Sequence, residues 1–268
     1  MAQISGLEDV TADHVRHYLV EQRDSTYVRK GHEDEPRTLA RSTLIQRYSS
    51  LHTFFQWCVT DGRLDISPMV NIKRPRPERN VRMAFTREEA KRLVKFAGDA
   101  PGNLKYRDAA MIMVALGTGA RASELLGMRW ADIHWAEGFI VVNGKGSKER
   151  RLRIGKESRR ALKKWQDVAP PIAGGYIWVT IRRTRMSLRG LWQWMKNLGE
   201  YASVENCHPH RLRHTFAAEF TSMNRDVYAT KARLGHSKLA TTEGYLHSLG
   251  VDYGLDESYR TPDSWLSQ

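Results

Sequence analysis

Residues 73–80 read KRPRPERN, and no other stretch constrains the fold of this 268-residue chain so tightly. Two prolines and four basic side chains, with no apolar periodicity, describe an extended linker rather than a helix or a buried strand. The chain therefore divides into a short helical domain over 1–72, a larger domain over 81–250 and a tail over 251–268. Lys73, Arg74 and Arg76 give the linker the charge to run along a phosphate backbone.

On the N-terminal side the apolar spacing is that of helices. A first helix is expected over 11–23, with Val15, Leu19 and Tyr18 on one face and Thr11 or Asp13 as its cap. A second is expected over 39–60, carrying Leu44, Ile45, Tyr48, Leu51, Phe55 and Val59 and ending at the Asp61–Gly62 pair. Residues 24–38 are polar and read as a loop, so this part is expected to be all-α, with a thin core. Past the linker, Thr86 and Glu89 make a capping box for a helix over 87–98. A mostly apolar helix over 106–117 and a shorter one over 121–127 follow. FIVVNGKGSKERRLRI alternates Ile140/Val142 and Leu152/Ile154 around Gly-Lys-Gly-Ser, as a β-hairpin does. Further helices are expected at 156–168, 187–199, 209–224, 226–234 and 240–247. The fold class is thus mainly α with a small β-hairpin or sheet: an all-α N-terminal domain and an α+β second domain.

Charge narrows the function. Lys plus Arg total 43 against 30 Asp plus Glu, a net charge of +13. Residues 1–80 hold 12 basic and 11 acidic side chains, whereas 81–268 hold 31 and 19. A polyanionic partner is implied, nucleic acid first, with its electrostatic footprint on the second domain. The two cysteines, Cys58 and Cys207, are far apart and in no Cys-x-x-Cys pattern, which points to a reducing compartment. The N-terminus has no signal-peptide pattern, and AAMIMVALGTG is too short to cross a bilayer. A cytoplasmic protein without membrane contact is expected.

Four segments carry candidate chemistry. NCHPHRLRHTF (206–216) packs a cysteine and three histidines around two arginines. Pro209 suits a first helical turn, placing His210 at a helix start and Arg213 on the same face, with His214 one turn from His210. Zinc would need a carboxylate that the cluster lacks, and its arginines repel a cation. An oxyanion clamp fits better, and a histidine merely satisfied at a helix start is the plain alternative. In TGARASELLGMRW, Glu124 stands where it can hold the Arg121 guanidinium. In GKGSKERR, Lys145 sits at a Gly-flanked turn, a place for a proton donor or for a solvated lysine. In LGHSKLATTEGYLH, His236 follows a natural helix stop and Tyr245 lies nine residues on.

Taken in order, T-G-x-R-x-x-E-L, G-K-G-x-K-E-R, P-H-R-L-R-H-T-F-A, L-G-H-S and the tyrosine resemble the tyrosine recombinases, or phage integrase family. The resemblance covers roughly 40–250 and is strongest over 115–247. It implies a core-binding domain that clamps DNA together with a catalytic domain, and a catalytic set of Arg121, Lys145, His210, Arg213, His236 and Tyr245. Glu124 and His214 would support that set. It implies strand cleavage through a 3′-phosphotyrosyl link, without cofactor, metal or ATP. Arg41, Ser42, Thr43 and Arg47 resemble the DNA-facing side of the family's long N-terminal helix. Lys73, Arg74, Arg76, Lys148, Arg150, Arg182 and Arg183 are further expected DNA contacts.

Double-stranded DNA carrying a recombination site is the implied partner. A homotetramer is expected on paired sites, a monomer or weak oligomer off DNA, and a phage or host accessory factor is a further candidate partner. By the same resemblance, the N-terminal domain is expected to be about one helix shorter than the family's usual one, as a minimal variant or a truncated start, and no arm-binding domain is expected. The tail, with Trp265 and Leu266 as anchors, would pack on a neighbouring protomer or fold back on its own domain. A type IB topoisomerase-like enzyme, a silent DNA-binding regulator of the same fold and a nucleic-acid-binding metalloprotein are the competing functions.

Overall fold

The computed structural model describes residues 5–29, 32–76, 84–144, 149–235 and 261–265. The chain forms two compact units, divided between Val81 and Arg82.

In the first unit, α1 (Ala12–Asp24) starts at Thr11, whose hydroxyl accepts the His14 N–H. α2 (Arg41–Thr60) runs the length that its apolar spacing predicts and stops at Asp61 and the positive-φ Gly62. Val15 and Leu19 of α1 pack on Tyr48 and Phe55 of α2, with Met69 closing the cluster. The Tyr48 hydroxyl donates to the Ile72 carbonyl at 2.6 Å, so the ring is buried with its polar end satisfied. Tyr18, expected on the buried face, is instead exposed. Residues 24–38 are not a loop. β1 (Thr26–Arg29) and β2 (His32–Thr38) pair antiparallel, with Thr26 opposite Thr38 and Tyr27 opposite Arg37. The first unit is therefore two helices with a β-hairpin, not purely helical. HEDEPRT has no apolar residue, so backbone pairing arises there without the period-two pattern that sequence reading relies on.

The second unit is built around α4 (Leu104–Thr118), in which Ala110, Met111, Ile112, Val114, Ala115 and Leu116 are all buried. A helix apolar on every side belongs at the centre, and α3 (Arg87–Gly98), α6 (Lys156–Gln166) and α8 (Pro209–Asn224) pack around it. The Thr86–Glu89 capping box forms at the start of α3. α5 (Ala122–Gly127) leads into a three-stranded antiparallel sheet of order β3 (Ile133–His134), β4 (Phe139–Asn143), β5 (Glu149–Arg153). Ile140 pairs with Leu152 and Val142 with Arg150, the register of the expected hairpin. α7 (Leu188–Tyr201) and α9 (Val227–Leu234) complete the unit. The helix expected at 240–247 lies outside the described residues.

Residues Pro262–Trp265 form a short 3-10 turn against the same unit. Asp263 Oδ2 accepts the Ser158 backbone N–H at 3.0 Å and the Ser158 hydroxyl at 2.8 Å, so the carboxylate caps the start of α6 from 105 residues away. These tail residues lie on their own domain.

Candidate active site

Glu124 organises the described part of the site. Arg121 occupies the N-cap position of α5, and Glu124, three residues on, reaches back to it. Glu124 Oε2 accepts the Arg121 backbone N–H at 2.7 Å, and Oε1 accepts from the Arg121 guanidinium at 2.8 Å. A second guanidinium binds both oxygens of the same carboxylate. Arg150 donates through Nε to Oε1 at 3.1 Å and through Nη2 to Oε2 at 2.8 Å, a two-pronged contact. Burial, the largest single influence, pushes the Glu124 pKa up, but Arg150 and Arg121 together outweigh it and hold Glu124 below the usual glutamate value. The Glu124 side chain is 1% exposed and stays ionised.

Arg213 comes from α8, and the start of that helix explains its placement. His208 is the N-cap, its Nδ1 accepting the Arg211 N–H at 3.2 Å, and Pro209 occupies the first turn. His208 also stacks on Trp192, while Cys207 is buried with its thiol pushed up to about 12 by that burial. Both residues are thus engaged in packing and capping. Residues two apart on a helix point nearly opposite ways, and the two arginines use this. Arg211 turns toward the start of α3, binding Glu89 at 2.9 Å and the Ala84 carbonyl and lying 4.1 Å over the Phe85 ring. Arg213 turns the other way, donating to the Gly119 carbonyl and to the Leu234 carbonyl, each at 2.6 Å.

Gly119 is glycine for two reasons. Its φ is +62°, and a Cβ there would run into the Phe216 ring. Burial first, then the positive charges of Arg121 and Arg150, push the Arg213 pKa down to about 10, with Glu124 opposing. Arg213 therefore remains charged at neutral pH.

The end of α9 ties these arginines together. Its last carbonyls accept one guanidinium each: Arg233 from Arg150, Leu234 from Arg213, and Gly235 from Arg121 at 2.7 Å. The negative end of the helix macrodipole lies under three cations. Arg121 and Arg213 are thereby set on adjacent carbonyls.

His210 is exposed in the first turn of α8, and His214 is half-buried one turn later. Lys145, Lys148, His236 and Tyr245 lie outside the described residues. Of the expected DNA contacts, Arg41 and Ser42 are exposed at the start of α2, where Arg41 Nε donates to the Arg76 carbonyl at 2.8 Å. Thr43 and Arg47 are half-buried and line a hollow with Tyr18. Lys73, Arg74, Arg76, Arg182 and Arg183 are exposed.

Arg150, another of the expected DNA contacts, is placed differently. Its side chain is 18% exposed and points inward at Glu124 and Arg233, not outward. Counting back by twos from Leu152 and Ile154 would have placed it on the inner face. Sequence reading also passed over Tyr176, whose ring has Arg185 4.1 Å and Arg129 4.8 Å away. The hydrogen bond from Arg129 and the charge of Arg185 lower the pKa of this half-buried phenol.

Known proteins share both the fold and the sequence pattern. The phage integrase family model matches residues 84–250. Tyrosine recombinase XerC of Xanthomonas campestris is 33% identical over 238 residues, spanning 85% of this chain and 71% of the relative. Tyrosine recombinase XerD of Listeria monocytogenes is 28% identical, over 86% of this chain and 84% of the relative. Among solved structures, the XerH site-specific recombinase bound to palindromic difH substrate in a post-cleavage complex aligns with a TM-score of 0.70 at 18% identity. That alignment covers 92% of this chain and 71% of the recombinase. The family model covers more than half of the chain and the XerC relative is matched over most of its length, so the chain belongs to the phage integrase family, the tyrosine recombinases.

Proposed function

We propose that the chain works as a site-specific DNA recombinase whose nucleophile is Tyr245. The phenolic oxygen attacks the scissile phosphorus while the bond to the 5′-oxygen breaks, leaving a 3′-phosphotyrosyl link and a free 5′-hydroxyl. His210 takes the phenolic proton and Lys145 supplies one to the departing oxygen. Arg121 and Arg213 neutralise the charge that grows on the non-bridging oxygens, and His236 hydrogen-bonds the phosphate. Because the ester keeps the energy of the broken bond, religation to a second strand needs neither ATP nor metal. On paired sites four protomers assemble, each bound to one DNA arm.

The observation that supports this most directly is the pair Arg121 and Arg213, charged and fixed on adjacent carbonyls beside the helix start that carries His210. A phenol with a pKa near 10 needs such a field to attack at neutral pH.

The test uses the duplex that the full chain selects from a random-sequence pool, nicked to trap the intermediate and incubated in EDTA. A covalent adduct is expected from the wild type and none from Tyr245→Phe. Dependence on divalent metal, or an adduct through Tyr253 or Tyr259, overturns the assignment. Relaxation of supercoiled DNA without exchange between sites would indicate the topoisomerase instead.

A further inference from the structure

We propose that Arg150 is a positioning residue for strand cleavage rather than a DNA contact. It acts by keeping Glu124 from neutralising Arg121, and by locking the end of α9 that also holds Arg121 and Arg213. The inference rests on the recombinase reading above and assigns a role within that site.

Three observations carry it. First, the Arg150 guanidinium is directed wholly at protein. Nε and Nη2 bind the two oxygens of Glu124, and Nη1 binds the Arg233 carbonyl. Second, Glu124 is almost wholly buried and lies between Arg121 and Arg150. With Arg121, Arg150 and Arg213 positive and Glu124 negative, the cluster carries a net charge of two toward a phosphate. Without Arg150 that falls to one, and Arg121 is left as the sole partner of a buried carboxylate. Third, the three arginines take three successive carbonyls, 233 to 235, so releasing one leaves the other two on a helix end no longer fixed. The residue after that helix end in the sequence is His236. Arg150 comes from β5, opposite Val142, so the sheet braces the site without supplying a group to the reaction.

The charge argument yields a readout that a merely structural role does not. A methylphosphonate at the scissile position carries no ground-state charge, so it asks less of the positive field than a phosphodiester does. The experiment compares wild type, Arg150→Lys and Arg150→Gln in the full chain, on the selected nicked duplex with either linkage. It measures single-turnover adduct formation at saturating DNA, and separately the affinity for the intact duplex across salt concentrations.

For Arg150→Gln, adduct formation on the phosphodiester is expected to fall by roughly 10- to 100-fold, below the loss typical of a direct transition-state donor. On the methylphosphonate the deficit should shrink to within about threefold, given that the lost charge is one of the terms. Arg150→Lys, which keeps the charge but not the fork, should recover part of the rate. Affinity and salt slope should stay as in the wild type.

Equal slowing on both linkages would make Arg150 structural only and overturn the proposal. Weaker binding with a salt slope reduced by about one, at unchanged adduct rate, would restore it as a phosphate contact. Failure of the wild type to form any adduct would instead overturn the recombinase reading itself.

Discussion

With one buried carboxylate serving two guanidiniums, the charge balance of the site depends on Glu124 staying ionised. Its folded pKa lies below the ordinary value of 4.5. Its stabilising contribution is therefore fully present above the unfolded-state value and is lost as pH falls through the lower folded one. Glu124→Gln should lower stability at pH 7 by about 3 kcal/mol, the scale for breaking a buried pair from one side. It should also flatten the loss of stability below pH 4.5, both read from urea unfolding across pH. An unchanged acid limb would show that other carboxylates set it. The partnership of Arg121 and Glu124 was legible in the sequence, because three residues on a helix start is a local distance. Their sharing with Arg150 was not, since 26 residues and a strand crossing separate the pair.

At the scale of elements, α8 shows how a helix start becomes a site. Its proline and the placement of His210 and Arg213 on one face were readable as a pattern, whereas its cap, His208, was not; the observed span Pro209–Asn224 matches the expected one. What the pattern could not say is where each arginine points. That follows from what lies on each side: Glu89 and Phe85 at the start of α3, Gly119 and α9 on the other. Gly119 joins these levels, since its left-handed turn ends α4 and presents the carbonyl that Arg213 binds. Gly119→Ala should cost about 2 kcal/mol or more from backbone strain and the Phe216 clash together. It should also slow adduct formation at saturating DNA, because Arg213 loses its fixed acceptor. Thermal unfolding and the single-turnover assay check the two parts separately, and wild-type values in both would remove Gly119 from the account. The hairpin over 26–38 teaches the opposite lesson. Its strands pair through backbone, so a polar sequence gave no periodic signal for it.

At the scale of the molecule, the second unit holds both the basic surplus and the arginine cluster, while its own tail is fastened beside α4. Gly117 and Gly155 leave the space that Asp263 fills: a Cβ at Gly117 would sit 3.1 Å from the Asp263 carboxyl carbon, and one at Gly155 would clash with its oxygens. Asp263→Ala should therefore uncap α6 and lower the stability of the full chain by about 1 kcal/mol, the usual value of an N-cap. Guanidinium unfolding measures this, and a change below a few tenths would mean that the tail contributes little there.

By itself the sequence determined the described helices of the second unit, the paired strands on either side of Gly-Lys-Gly-Ser and the family pattern. All of these are written in short-range spacing, caps and ordered motifs. Only the tertiary structure decided that Arg150 faces inward, that one helix end carries three arginines and that Asp263 caps α6. Those contacts join residues 21 to 114 positions apart, and nothing in the local pattern encodes which distant carbonyl or carboxylate a long side chain will reach.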